Sequence, residues 1–497
     1  MKKSLIVSVV FLFLLSPLLQ AGFSEKAKTF TLKNGLIFHV YERHHIPTFA
    51  GMLMAKVGSM DERDGETGLA HFFEHMAFKG TPVIGSKDYA KEKVILDKID
   101  KVGEELSAEY GKGQDANQDT IKALREKLKE LQKEHKQYVV KDEIDKLYSE
   151  NGGEFLNAST SNESTQYFIM LPANRLELWF LIESERFKHS VLREFYSERD
   201  VIAEERRMRE ENDPDGFLWE EFFNVAITRF PYRHSVVGYM EDIQTYTKPK
   251  AMNFFKTFYT PNNMQAAVVG DVNFEEVKKL AEKYFGDIPR GGEPPRTKLI
   301  EPEQKGERRI NVFYDAEPRI VIGYQTIGLN KKEETALDLI SMILSRGNSS
   351  RFQRDLVNNR KLAVRIFAAS NVLGRRYPSL FLVLARTRYP NTPEDLEKGI
   401  YEHLERLKTE PVQAAEIEKV INGEEAGLYQ GMDSNIFIAM RMLWGSVLDG
   451  DVDAEFKHLD ELKHVTPQDI MEVSKKVFVQ SKRTVGTLYK KEKGEVK

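Results

Sequence analysis

Residues able to do chemistry concentrate in the run Gly68-Leu69-Ala70-His71-Phe72-Phe73-Glu74-His75-Met76-Ala77-Phe78, which contains His-x-x-Glu-His. On a helix, residues four apart lie about 40° apart around the axis, so His71 and His75 project from one face. Glu74, one position before His75, can reach whatever the two imidazoles hold. Two neutral imidazoles beside a carboxylate are what a catalytic zinc requires: nitrogen ligands, an open position for water, and a base for its proton. Histidines on apolar helix faces are often hydrogen-bonded core residues. Here the flanking residues are Leu69, Ala70, Phe72, Phe73 and Met76, and burying two histidines and a glutamate among them without partners would be costly. The run therefore reads as a metal site.

Two histidines leave a third protein ligand to be found, usually a carboxylate. The chain has no cysteine, which removes thiolate zinc sites, cysteine nucleophiles and disulfides together. The segment Tyr196-Ser197-Glu198-Arg199-Asp200-Val201-Ile202-Ala203-Glu204-Glu205-Arg206-Arg207 is a charged helix that could serve. Glu198 and Glu205 stack on one face two turns apart, while Glu204 points about 100° away from Glu205. Spacing alone does not choose among them.

Around these stretches, 497 residues with 41% hydrophobic and 30% charged side chains suffice for more than one domain. A net charge of −4 argues against a nucleic-acid binder, whose surfaces are strongly basic. Lys2 and Lys3, an apolar run from Leu5 to Leu15, and Gln20-Ala21-Gly22 form a secretory signal peptide over residues 1–21. The apolar run is too short to span a bilayer. The expected protein is exported, periplasmic or secreted, with no stable membrane span.

Strands are expected at Leu36–Tyr41 and Phe49–Ala55, joined by a turn whose His44 and His45 read as solvated and lacking a nearby carboxylate. Further strands follow at Gly152–Thr160 and Ser164–Leu171, then an amphipathic helix over Leu176–Lys188. Between them, about 87–148, Ile95, Ile99, Val102 and Leu106, then Ile121, Leu124, Leu128 and Leu131 keep the heptad rhythm of an antiparallel helical hairpin. Gln265–Val269 reads as a buried strand and Phe274–Phe285 as a helix. The Pro- and Gly-rich stretch 291–309 reads as a linker between an N-terminal domain, 22–290, and a C-terminal one, 310–497. The second half echoes the first: a strand at Arg319–Tyr324, a helix at Glu333–Leu344, and a closing helix and strand at Pro467–Phe478 and Thr484–Tyr489. Its first helix carries no histidine, so a degenerate duplication would arm only the first domain.

These stretches, in this order, resemble the pitrilysin/insulinase family of zinc peptidases, whose signature is His-x-x-Glu-His, in the short branch that includes mitochondrial processing peptidase. The resemblance rests on Gly68–Thr81, Gly152-Gly153 through Ala158, Glu198–Glu205, Pro231-Tyr232 with Gly238, Tyr259–Asn263 and Val268–Asp271. It implies that Glu205 ligates a single zinc with His71 and His75, that Glu74 is the catalytic base, and that Glu198 supports the site. It implies an α+β fold of two homologous mixed-sheet and helix sandwich domains forming half of a clamshell, the first carrying the helical hairpin as an insertion. Peptide substrate would add as a strand along the edge holding Asn157 and Ala158. The implied activity is metal-assisted endoproteolysis; the alternative is a non-catalytic scaffold subunit of the same fold. Family members that grip substrate with an Arg and a Tyr seven apart have them where this chain has Val357 and Val364. Arg360 or Arg365 would have to substitute. The chain is thus expected to work as a homo- or heterodimer, in the latter case with a paralogue carrying that pair.

Overall fold

Two mixed sheets carry the chain, and both are wired alike. The computed structural model describes residues 22–491; the expected signal peptide, 1–21, lies outside the described residues. The first half opens with β1 (Lys28–Thr31), β2 (Ile37–Glu42), β3 (Thr48–Ala55), α1 (Leu69–Met76), α2 (Tyr89–Tyr110), α3 (Gln118–His135) and α4 (Glu143–Glu150). It continues with β4 (Glu154–Thr160), β5 (Thr165–Pro172), α5 (Leu176–Lys188), α6 (Phe195–Arg206), α7 (Pro214–Ala226), α8 (Met240–Thr245), α9 (Lys248–Phe258), β6 (Met264–Gly270) and α10 (Phe274–Phe285). No helix or strand falls between Phe285 and Arg308. The second half comprises β7 (Arg308–Tyr314), β8 (Arg319–Gln325), α11 (Lys331–Ser345), β9 (Ala363–Ala369), β10 (Leu380–Thr387) and α12 (Pro393–Thr409). It closes with α13 (Ala414–Gly431), α14 (Asn435–Trp444), α15 (Ala454–Lys463), α16 (Pro467–Val477) and β11 (Arg483–Lys490).

The sheet orders are β1-β2-β6-β3-β5-β4 and β7-β11-β8-β10-β9. Apart from β1, each places its first strand parallel to its last and pairs the rest antiparallel. β4 and β9 are then equivalent edge strands, and α11 stands where α1 does. Local signals agree with this path. Asn330 and Glu333 cap the start of α11 reciprocally, and Thr466 with Asp469 does so for α16, where Pro467 supplies a favourable first residue.

β3 is buried from Phe49 to Ala55, which explains its continuous apolar run. Phe49 and Leu53 pack in the core beneath α1, α5 and α10, while Ala50, Met52 and Met54 join the core of the second half. The cover on that second face is α14, which lies on β3 and β6. Reciprocally, α7 lies on β7, β8 and β11, inserting Leu218 and Phe222 against Val312, Val321 and Leu488. Gly323 makes room for it, since a Cβ there would stand 2.7 Å from Phe222 Cζ. Each half therefore lends a helix to the other's sheet.

The hairpin forms as α2 and α3, with α4 as a separate turn of helix beyond it. Its first arm is more deeply used than a single apolar stripe implies. Glu92 is fully buried and accepts from Arg193 Nε at 2.5 Å and from His135 Nε2 at 2.8 Å. Arg193, itself 1% exposed, also donates to the carbonyls of Lys79, Thr81 and Ile84. Tyr196 of α6 occupies the space that a Cβ on Gly103 would fill, at 2.1 Å, and Arg199 donates to Ser107 Oγ at 2.7 Å. α2 is thus the bed on which α6 lies. Burial by itself would raise the Glu92 carboxyl, but the hydrogen bonds from His135 and Arg193 prevail and hold it at about 2, below its ordinary 4.5. That stabilisation is complete above the ordinary value and is lost as pH falls through about 2. Glu92→Gln leaves Arg193 buried without its carboxylate and is expected to cost about 3–5 kcal/mol, read as a lowered urea midpoint at neutral pH.

Candidate metal centre

The motif helix starts abruptly. Gly68 adopts φ +90° at its N-terminus, and a Cβ there would stand 2.2 Å from the Val237 carbonyl, so only glycine suits this corner. Helix N-termini leave N–H groups without partners, and here Glu62 supplies them from outside the helix. Its two carboxylate oxygens accept from Gly68 N and Ala70 N, both at 2.7 Å. Burial pushes the Glu62 carboxyl well above its usual range, the two N–H groups opposing the shift. Phe72 packs on Phe195 and Tyr246, and Phe73 stacks on Phe255 at 4.5 Å. Those aromatic contacts fix the rotation of α1 and turn His71 and His75 towards α6.

There the structure brings His71, His75 and Glu205 together, one ligand atom from each lying within 4.8 Å of the others. His71 Nε2 is 3.6 Å from Glu205 Oε1 and His75 Nε2 is 3.5 Å from Glu205 Oε2. These separations are too long for good hydrogen bonds. They are close to the roughly 3.3 Å between neighbouring ligand atoms about 2.0–2.1 Å from a tetrahedral zinc. The donor set therefore fits the ion.

Charge on these groups is arranged to the same end. Burial, then the neighbouring His75, lowers His71 to about 3, leaving it neutral. For His75, burial pulls the other way from the Glu198 carboxylate on Nδ1, 2.8 Å distant, and the carboxylate prevails, raising it. Glu198 also meets Lys79 Nζ at 2.6 Å; burial opposes, but these two partners keep its carboxyl below the ordinary range. A carboxylate on the far nitrogen orients a histidine ligand and raises its basicity. Glu74 accepts from Thr160 Oγ1 at 2.5 Å, and burial raises its carboxyl despite that bond. Glu204 faces away and pairs with Arg207.

Asn157 and Ala158 lie on β4, whose outer edge is unpaired among the described residues. The Ala158 N–H is held by Asn157 Oδ1 at 2.9 Å. Thr160 ends the same strand, so the edge leads directly to Glu74. In the second half, Val357 is buried and Val364 exposed. Arg360 is committed to Glu402 at 2.6 Å, whereas Arg365 is exposed on β9. The His44–His45 turn, read as lacking a carboxylate, in fact brings His44 Nδ1 2.7 Å from Asp271 Oδ1; the pairing crosses 227 residues and is exposed. Sequence reasoning missed Glu62, Lys79, Thr160 and Arg209. Arg209 sits on a π-helical turn after α6 and pairs with Glu205 at 2.9 Å; its place four residues after Glu205 was the one available signal.

Two family models match the chain, "Insulinase (Peptidase family M16)" over residues 40–114 and "Peptidase M16 inactive domain" over residues 245–424. The zinc protease PqqE of Helicobacter pylori is 28% identical over 97% of both chains. The crystal structure of a protease from Helicobacter pylori superposes with a TM-score of 0.78, covering 93% of this chain and 99% of that one. The chain belongs to the M16 (insulinase) peptidase family. Escherichia coli PqqL, a probable zinc protease, is 26% identical over 60% of this chain and 27% of its own length. The structure of that periplasmic protease shares the fold, with a TM-score of 0.69 at 18% identity, over 94% of this chain and 48% of that one. The insulinase match ends beyond α2, so the first hairpin arm lies within the matched segment and α3 outside it. Glu198→Ala is expected to weaken zinc binding about 10–100-fold, measured by competition with a chromogenic chelator.

Proposed function

We propose that this chain is an exported zinc endopeptidase that hydrolyses peptides or protein precursors, with one zinc held by His71, His75 and Glu205. The observation that carries the reading is the convergence, in one place, of three ligand atoms within 4.8 Å, a carboxylate with a raised pKa at Glu74 and an open strand edge ending at Thr160. When bound there, zinc supplies Lewis-acid polarisation of the scissile carbonyl and lowers the pKa of water. Glu74 then takes the proton of the attacking water and returns it to the leaving amine, its raised carboxyl suited to both directions. Thr160 holds Glu74 in place, Glu198 orients His75, and neutral His71 has a lone pair to offer. Peptide adds along β4 through main-chain hydrogen bonds, the Asn157 side chain giving up the Ala158 N–H as it docks. No helix among the described residues is long and apolar enough to cross a membrane; the periplasmic relative from Escherichia coli supports a periplasmic or secreted location.

Val357 and Val364 favour a partnered form of the same reading. Neither side chain can hydrogen-bond a substrate carbonyl, so the chain works as a dimer, and a paralogue carrying the Arg/Tyr pair is the partner this vacancy calls for. Purification of homodimers with full peptidase activity would exclude the paralogue. Replacing Glu74 with Gln is expected to lower kcat at least about 100-fold while zinc stays bound, and chelation should abolish cleavage until zinc is restored. A non-catalytic scaffold role would instead leave no chelator-sensitive cleavage to lose and would survive Glu74→Gln.

A further inference from the structure

The second sheet carries an arrangement that its own folding does not call for. Arg319 on β8 stands opposite Arg386 on β10, and Arg386 stands opposite Arg365 on β9. Three arginines thus form one row across three adjacent strands, where like charges directly opposite each other are destabilising. One carboxylate answers them. Asp215, at the start of α7, pairs with Arg319 and lies 3.3 Å from Arg386 Nη2. Arg365 is exposed and has no hydrogen bond or ion pair among the described residues. All three arginines line a cavity of about 330 Å³ whose remaining walls include Trp219, Phe367, Val372 and Leu384. A row of three guanidinium groups over apolar walls, two cations in excess of the single carboxylate Asp215, is suited to bidentate capture of a carboxylate.

Its position connects it to the metal centre. Trp219 also lines a neighbouring cavity of about 310 Å³, together with Asn162 and Arg209. Arg209 is the residue paired with Glu205, and Asn162 follows β4 and donates to the Leu373 carbonyl at 2.7 Å. Leu373 adjoins Val372 of the arginine cavity. The two cavities therefore meet at Trp219, the first extending from Asn162, two residues beyond Thr160, and the second holding the arginine row. β9, the strand that presents Arg365, is the edge equivalent of β4 in the second sheet.

We propose that Arg365 and Arg386, backed by Arg319, form a subsite for a carboxylate of the peptide substrate, so that the enzyme prefers peptides bearing an acidic side chain or a free C-terminus at that distance from the cut. The inference rests on the peptidase reading above and adds its substrate class. The row supplies side-chain recognition where Val357 and Val364 supply none.

The test uses the full chain with zinc and a set of internally quenched peptides. The parent is neutral and amidated; one series moves a single Glu along it, and one member keeps the parent sequence with a free C-terminus. One Glu position, or the free carboxylate, is expected to raise kcat/KM about tenfold over the parent, chiefly through KM, the scale of one charge-assisted hydrogen bond. The Glu series and the free C-terminus distinguish the two sources of the carboxylate. In the double variant Arg365→Gln/Arg386→Gln that ratio should fall to about one, and in Arg365→Glu the preference should pass to a Lys peptide at the same position. Both positions are solvent-exposed, and unchanged circular dichroism checks the fold. A wild-type ratio near one throughout the set, or a ratio that survives in the double variant, overturns the proposal. If the parent is not cut by the chain alone or together with the paralogue partner, the peptidase reading fails separately. Fluorescence anisotropy of the labelled Glu and parent peptides then decides the subsite: about tenfold tighter binding of the Glu peptide, lost in the double variant, supports it, and equal binding overturns it.

Discussion

The hydrogen bond between His75 Nδ1 and Glu198 is the tie on which the candidate metal centre depends. It joins α1 to α6, elements separated by more than a hundred residues, and it aims the other nitrogen of His75 at Glu205, seven positions along the same helix. Neither helix could set this geometry alone. α1 is short and held at its start by Glu62, while α6 rests on α2 through Tyr196 and Arg199. A zinc site tolerates little error in ligand position, and the buried ion pair of Glu92 and Arg193 bears on the candidate site through the loop that leaves α1, whose Lys79, Thr81 and Ile84 carbonyls Arg193 holds.

A second constraint is the exchange of helices between the two halves. α14 covers the inner face of the first sheet, and α7 covers one face of the second. A sheet buried on both faces needs two covers, and each half provides only one for itself. Neither half of the duplication is complete without the other, which gives the half that lacks a His-x-x-Glu-His motif a structural role whatever it contributes to binding. It also brings α7 from the end of α6, the helix that carries Glu198 and Glu205, onto the sheet that carries the arginine row.

Much of this was legible along the chain because local physics dominates there. His71, Glu74 and His75 announce themselves through spacing on one helix face, and the helices Leu176–Lys188 and Phe274–Phe285, the latter capped by Asn273, begin and end where their apolar patterns do. The strands at Phe49–Ala55 and Thr165–Pro172 follow from apolar runs between turns. What did not show lay outside any helix or strand period. Glu62 and Thr160 have no motif, because their partners, the N-terminus of α1 and Glu74, come near only after folding. The role of α2 was hidden because a heptad stripe accounts for its apolar residues but not for buried Glu92 and Gly103.

By itself, then, the sequence determined the chemistry on offer: two imidazoles and a carboxylate on one helical turn, a choice of glutamates on another, and no cysteine to compete for metal. Resemblance to a family chose Glu205 among those glutamates. Only the tertiary structure decided that Glu205 stands between the two histidines, that Glu198 takes the far nitrogen of His75, and that the β4 edge ends at Glu74. It also decided that Arg319, Arg365 and Arg386, scattered over 67 residues, fall into one row. The physical reason is the same in each case. Helical periodicity relates residues a few positions apart, whereas strand pairing and helix packing bring together residues whose separation in sequence carries no period to read.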